Sequence, residues 1–266
     1  TYRARVRHRD ATGRWSFWSE PLQFVAGTPD VSAYAGALRI SEINYNPGAV
    51  KPAESAAPGW NVLWNEQDFE FIEVRNISGA SMDMTDIRFT KGIDFDFPAG
   101  FNLPAGASAV IVKNPAAFAI RYPSVTPAGT YGEGNLSNSG EEVKLSYGAG
   151  ASIIEFAYGD SQSAWPASPD GEGPTLVLKT PGKPALVHSA PEEWQESYTE
   201  IGNPGGGDGI SYAFWAVGDS ERADPAAEPD RDGYNNRLEF ALSSDTESSS
   251  THRAPVAGFS EVNGSS

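Results

Sequence analysis

The chain has 266 residues, enough for one or two domains with appended pieces, and a formal net charge of −16. That charge repels phosphate backbones and makes nucleic acid a poor partner. The absence of cysteine excludes a disulfide framework and a thiolate zinc site. Twenty-eight Gly and 20 Pro suit a turn-rich β protein, and seven Trp, ten Tyr and 13 Phe can supply a sizeable core. No apolar run reaches the length of a membrane-spanning helix.

The chain begins without Met and inside a strand pattern, which reads as a fragment of a longer polypeptide. Tyr2, Ala4, Val6 and His8 alternate with Arg3, Arg5, Arg7 and Arg9, the pattern of a strand with one buried face. A turn at Ala11-Thr12-Gly13 leads to Trp15-Ser16-Phe17-Trp18-Ser19 and a second strand near Leu22–Val25. This Trp-Ser-x-Trp-Ser motif beside an arginine row resembles the last hairpin of a fibronectin type III domain. The resemblance implies that the tryptophan rings interleave with the guanidinium planes. Residues 28–37 are small and polar and read as a linker.

From residue 38 to 180 short apolar runs alternate with Gly, Pro, Asn and Ser, the rhythm of an all-β sandwich. Leu38–Tyr45 is a strand whose alternation slips between Ile40 and Ile43, which predicts a bulge. A long loop carrying Trp60 and Trp64 fills residues 48–66. Asp68–Asn76 is the strongest strand, reads as apolar on both faces and belongs at the centre of a sheet. Ile87–Phe89 and Ala109–Lys113 are further strands, and Asn114–Tyr122 reads as a short helix capped by Asn114 with Pro115 at its first position. Val143–Tyr147 and Ser152–Tyr158 form a hairpin, and Thr175–Lys179 is the last strand.

Five pieces along this region resemble the bacterial lamin-tail domain. They are Ile40-Ser41-Glu42-Ile43 with Asn46-Pro47, Phe69-Glu70-Phe71-Ile72-Glu73-Val74-x-Asn76, Leu103-Pro104-Ala105-Gly106, Leu136-Ser137-Asn138-x-Gly140-Glu141, and Trp165-Pro166-x-x-x-Asp170-Gly171-x-Gly173. The Lys51–Glu66 insertion departs from that family's usual short connection. The resemblance implies an immunoglobulin-like sandwich, found as an extracellular or envelope module beside larger enzymes or adhesion-like modules. Its implied role is structural or binding, and its partners are other domains of the same polypeptide or a cell-surface polymer or protein.

Residues 181–209 are rich in Pro and Gly and read as a second linker, with Trp194 folding back onto the sheet. Ile210, Phe214 and Val217 mark a short amphipathic helix ended by Gly218. Then comes the most chemical motif, Glu228-Pro229-Asp230-Arg231-Asp232-Gly233-Tyr234-Asn235-Asn236-Arg237-Leu238-Glu239. It follows the EF-hand calcium loop, in which alternate oxygen donors converge on the ion, Gly allows the sharp turn and a final Glu grips with both oxygens. The expected ligands of one structural calcium ion are Glu228, Asp230, Asp232, the Tyr234 carbonyl, Asn236 and Glu239. Glu228 stands where the shorter Asp is usual. Residues 246–266 are Ser-rich and polar, read as a disordered tail.

Other chemistry is weaker. Asp170-Gly171-Glu172-Gly173 reads as a polar turn rather than a second cation site. Glu70 and Glu73 point to opposite strand faces and do not pair, Glu141 and Glu142 diverge, and Asp94 and Asp96 form a solvated edge. His8, His188 and His252 lack partners for zinc or for nucleophilic catalysis. The expectation is a mainly β, immunoglobulin-like β-sandwich with a small helical calcium-loop appendage, and no enzyme. The alternatives are a carbohydrate- or polymer-binding module using Trp60 and Trp64, or an accessory region of an enzyme whose catalytic domain lies elsewhere.

Overall fold

A computed structural model describes residues 2–24, 27, 29–132, 134–183, 187–206, 224, 226, 227 and 235. Two compact units divide the chain, Thr1–Gly206 and Gly207–Ser266, and all named elements lie in the first. In order they are β1 (Tyr2–Ala4), β2 (Leu22–Phe24), α1 (Ser32–Ala37), β3 (Leu38–Asn44), α2 (Pro52–Ser55), a 3₁₀ turn at Glu66–Phe69 and β4 (Phe71–Asn76). Next come β5 (Met82–Asp83), β6 (Ile87–Lys91), β7 (Phe95–Asp96), β8 (Asn102–Leu103), β9 (Ser108–Val112), α3 (Pro115–Arg121) and β10 (Gly129–Thr130). β11 (Glu141–Tyr147), β12 (Ala151–Tyr158), β13 (Leu176–Leu178), a 3₁₀ turn at Pro191–Glu193 and β14 (Trp194–Glu196) complete the series.

The larger sheet has the order β10-β9-β4-β3-β13-β14, the smaller β12-β11-β6-β7, and β5 pairs with β8. Alternation builds the interior between them. Ile40 and Ile43 of β3, Ile72 and Val74 of β4 and Ile111 of β9 meet Ile87, Phe89, Val143, Leu145 and Phe156 of the smaller sheet. Each such side chain contributes about 1.5–3 kcal/mol when buried. The other face of β4 is also covered, because Phe71 joins Val110, Val112, Phe118 and Tyr122 in a second cluster beneath α3. Hence β4 reads as apolar on both faces and sits inside the sheet.

The predicted bulge is present: the β3–β4 register shifts between Ile40 and Glu42. It leaves Ser41 out of the pairing and sets Glu42 directly opposite Glu73. The Asn114 cap also forms, its side-chain oxygen accepting from the backbone N–H groups of Ala116 and Ala117.

Four local readings change. Phe69 belongs to a 3₁₀ turn, so the strand starts at Phe71. The stretch 28–37, read as a linker, contains α1, whose Tyr34 stacks on Tyr147 with ring centroids 5.6 Å apart. Residues 181–209 contribute β14, with Trp194 only 1 % exposed and in register with Leu178. Lastly, the first hairpin has no buried face along Tyr2–Ala4, and Tyr2 and Val6 are exposed.

That hairpin is held by its own motif. The hydroxyls of Ser19 and Ser16 accept from the N–H groups of Val6 and His8 at 3.1 and 3.0 Å, standing in for ladder carbonyls. This places Arg7 between Trp15 and Trp18, 4.3 and 4.6 Å from the ring centroids.

Candidate functional site

Three fully buried glutamates, Glu42, Glu70 and Glu73, are the chemical centre of the sandwich. An isolated carboxylate is very costly away from water, so each must be neutralised or hydrogen-bonded. Glu42 and Glu73 lie opposite each other on β3 and β4. Glu73 accepts from the hydroxyls of Ser41 at 2.6 Å and Ser108 at 2.9 Å, and from the Gly205 N–H at 2.7 Å. Glu42 accepts from the Thr175 hydroxyl at 2.5 Å and the Asn203 N–H at 3.1 Å. Burial pushes the Glu73 carboxyl above the usual range, against the pull of its hydrogen bonds.

The cover over this pair is the segment after β14. Ser197 N–H donates to the Thr175 carbonyl at 2.9 Å, the Tyr122 hydroxyl donates to the Ile201 carbonyl, and the chain then crosses the two glutamates. Gly202 makes the crossing possible. Its φ is +80°, and an added Cβ would lie 2.4 Å from Glu42 Oε1 and 2.5 Å from Thr175 Cγ2. Residues 197–206 therefore act as a strap whose Asn203 and Gly205 N–H groups are spent on buried carboxyls.

Glu70 precedes β4 and faces the other way, as its spacing from Glu73 implied. Its Oε2 accepts from the Tyr131 hydroxyl at 2.7 Å and the Leu136 N–H at 2.8 Å. Among the described residues its Oε1 has no hydrogen bond, and it lies 3.7 Å from Lys113 Nζ. Burial pushes the carboxyl up to about 7, with the two hydrogen bonds and Lys113 pulling it down. Lys113 Nζ also donates to Asn135 Oδ1.

At the same end of the sandwich the family-like pieces interlock. Asn46 Nδ2 donates to Asp170 Oδ1 at 2.7 Å, Asn138 Nδ2 donates to Asn46 Oδ1 at 3.1 Å, and the Gly171 N–H donates to the Asn46 carbonyl at 3.0 Å. Gly48 lies so near Gly173 that a Cβ would stand 2.6 Å from its Cα. Asp170 is thus the polar turn expected of it. Glu141 accepts from Ser137 N–H and Tyr158 hydroxyl, while Glu142 pairs with Lys91, so these neighbours diverge. Asp96 pairs with Arg88 at an exposed edge.

The long insertion is anchored from below. Glu54, buried on α2, takes Arg121 Nε and Nη2 at 2.7 and 2.8 Å, a two-pronged ion pair. Burial raises the Glu54 carboxyl, but the Arg121 hydrogen bonds and charge more than offset this and leave it below the usual range. The Arg121 guanidinium lies 3.5 Å over Phe69, whose ring stacks on Trp60, and Trp60 meets Trp64 edge-on at 5.4 Å. Both tryptophans are half-buried, committed to this stack rather than laid out as a sugar platform. The tip between them presents Val62 and Leu63, 88 % and 83 % exposed.

His188 accepts from the Ile40 N–H at 3.3 Å and packs on Phe156, and burial with Arg39 nearby pushes it down to about 4. The expected calcium ligands Glu228, Asp230, Asp232, Tyr234, Asn236 and Glu239, and the helix read at residues 210–217, lie outside the described residues. Among the described residues no three of His, Asp and Glu converge as metal ligands, and no helix is long and apolar enough to cross a membrane.

Sequence reasoning missed the burial of Glu42, Glu70 and Glu73. For Glu70 and Glu73 the available signal was a charge inside a run that is otherwise apolar on both faces.

The sheets, their shared core and these internal ties define an immunoglobulin-like β-sandwich domain. Residues 32–160 match the family model of the Lamin Tail Domain, a structural module of this fold. No curated protein matches the chain.

Proposed function

We propose that the chain is a non-catalytic spacing and docking region of a large bacterial extracellular or envelope protein. Its partners are neighbouring domains of the same polypeptide or a cell-surface protein. One calcium ion, held by Glu228, Asp230, Asp232, the Tyr234 carbonyl, Asn236 and Glu239, has a structural role. The donor spacing supports the ion, and the Trp–Arg hairpin at residues 2–24 supports a fibronectin-like neighbour.

The observation that carries the docking role is the insertion tip. A segment braced by a buried ion pair and an aromatic stack has no folding reason to hold Val62 and Leu63 in water. The test is a photo-crosslinking side chain at Leu63 in the longer polypeptide, with exposed Ala105 as control. Docking predicts a discrete adduct from position 63. Equal, diffuse labelling from both positions overturns it.

A further inference from the structure

The geometry points to an intramolecular isopeptide bond between Lys113 and Asn135, formed by the protein itself with Glu70 as the proton carrier. The three groups arrive from separate places and are fixed there. Lys113 directly follows β9, and its N–H donates to the Glu70 carbonyl at 3.0 Å, which sets the lysine beside the glutamate. Glu70 Oε2 grips the Leu136 N–H at 2.8 Å, so the same carboxyl holds the residue next to Asn135. Lys113 Nζ then reaches the Asn135 carboxamide through Oδ1, one bond from the carbon it would attack.

Glu70 is suited to the work. It is fully buried, and among the described residues its Oε1 has no hydrogen-bond partner while lying 3.7 Å from Lys113 Nζ. A carboxyl pushed by burial to about 7 can take a proton and return it near neutral pH. A plain ion pair explains neither the open oxygen nor the amide held against the amine. Proximity supplies what the unactivated amide lacks, because amine and carbonyl carbon are held by the fold rather than meeting by diffusion.

The step balances with no outside reagent. Glu70 takes a proton from the Lys113 ammonium, and the freed Nζ attacks Asn135 Cγ. The Nζ–Cγ bond forms and the Cγ–Nδ2 bond breaks as Glu70 returns the proton to Nδ2. Nitrogen leaves as ammonia and carries off the second amine proton as ammonium. Asn135 is exposed, so the product escapes to solvent, whereas the Lys113 side chain is 20 % exposed and Glu70 has no exposure.

Intact-mass measurement of the full chain under denaturing conditions tests this. The folded chain is expected to be lighter than its sequence by one ammonia, with a branched peptide joining residues 113 and 135 after digestion. Lys113→Arg and Asn135→Ala should both keep the full sequence mass, and Asn135→Asp should lose one water instead. A full-mass parent chain after long incubation at neutral pH overturns the bond. So does an ammonia loss that persists in Lys113→Arg, since a cyclic imide at some asparagine loses the same mass. Glu70→Gln, with folding checked by circular dichroism, should stay unlinked; linking at the parent rate removes Glu70 from the step. If that variant does not fold, the parent's linking rate against pH replaces it. A rate that rises through about pH 7 supports the proton carrier, and a flat rate removes it.

Discussion

Glu42, Glu70 and Glu73 have the same side chain and the same lack of water, yet their surroundings set them different tasks. Glu73 holds two hydroxyls and a strap N–H, while Glu70 keeps one oxygen for Lys113. Glu70 also makes stability depend on pH. Its folded carboxyl sits at about 7, above the ordinary range, so the stability its proton contributes is complete below that range. That contribution is lost as pH rises through about 7 and amounts to about 3 kcal/mol. The comparison belongs in an Asn135→Ala background, where neither chain can link. There, adding Glu70→Gln should be tolerated least at about pH 5 and best at about pH 8, read from urea unfolding free energies. A difference that does not change with pH defeats this reading.

At the scale of elements, the strap shows why some features were legible in the sequence and others not. The β3 bulge and the inner position of β4 follow from alternation within a few residues, and alternation is visible in a single sequence. The Asn114 cap is equally local. The strap is not, since Gly202 and Gly205 resemble any linker glycines until they meet carboxyls more than a hundred residues earlier in the chain. For the same reason α1 and β14 read as linker in the sequence: tertiary contacts with Tyr147 and β13 decide them, not propensity. Gly202→Ala isolates the strap. The positive φ and the close approach to Glu42 and Thr175 predict a loss of about 2 kcal/mol or more. Hydrogen exchange should quicken at Asn203 and Gly205 while β4 stays protected. Unchanged exchange at those two amides would show that the strap does not depend on this crossing.

At the scale of the whole molecule, the net charge of −16 favours a divalent cation at the acidic loop of residues 228–239. Calorimetric titration with millimolar calcium should give single-site heat with a Kd of roughly 10⁻⁴–10⁻³ M. The combined Asp230→Ala and Asp232→Ala substitutions should abolish it, and a flat titration of the parent chain ends the calcium proposal.

The strap also sets the practical boundary for dissecting the protein. The family match ends at residue 160, but β13, β14 and the residues that close over Glu42 and Glu73 come later. A recombinant fragment trimmed to the match would leave β3 as a bare sheet edge and open two interior acids to solvent. The shortest self-sufficient piece therefore runs past Gly205, some forty-five residues beyond where sequence similarity alone would cut.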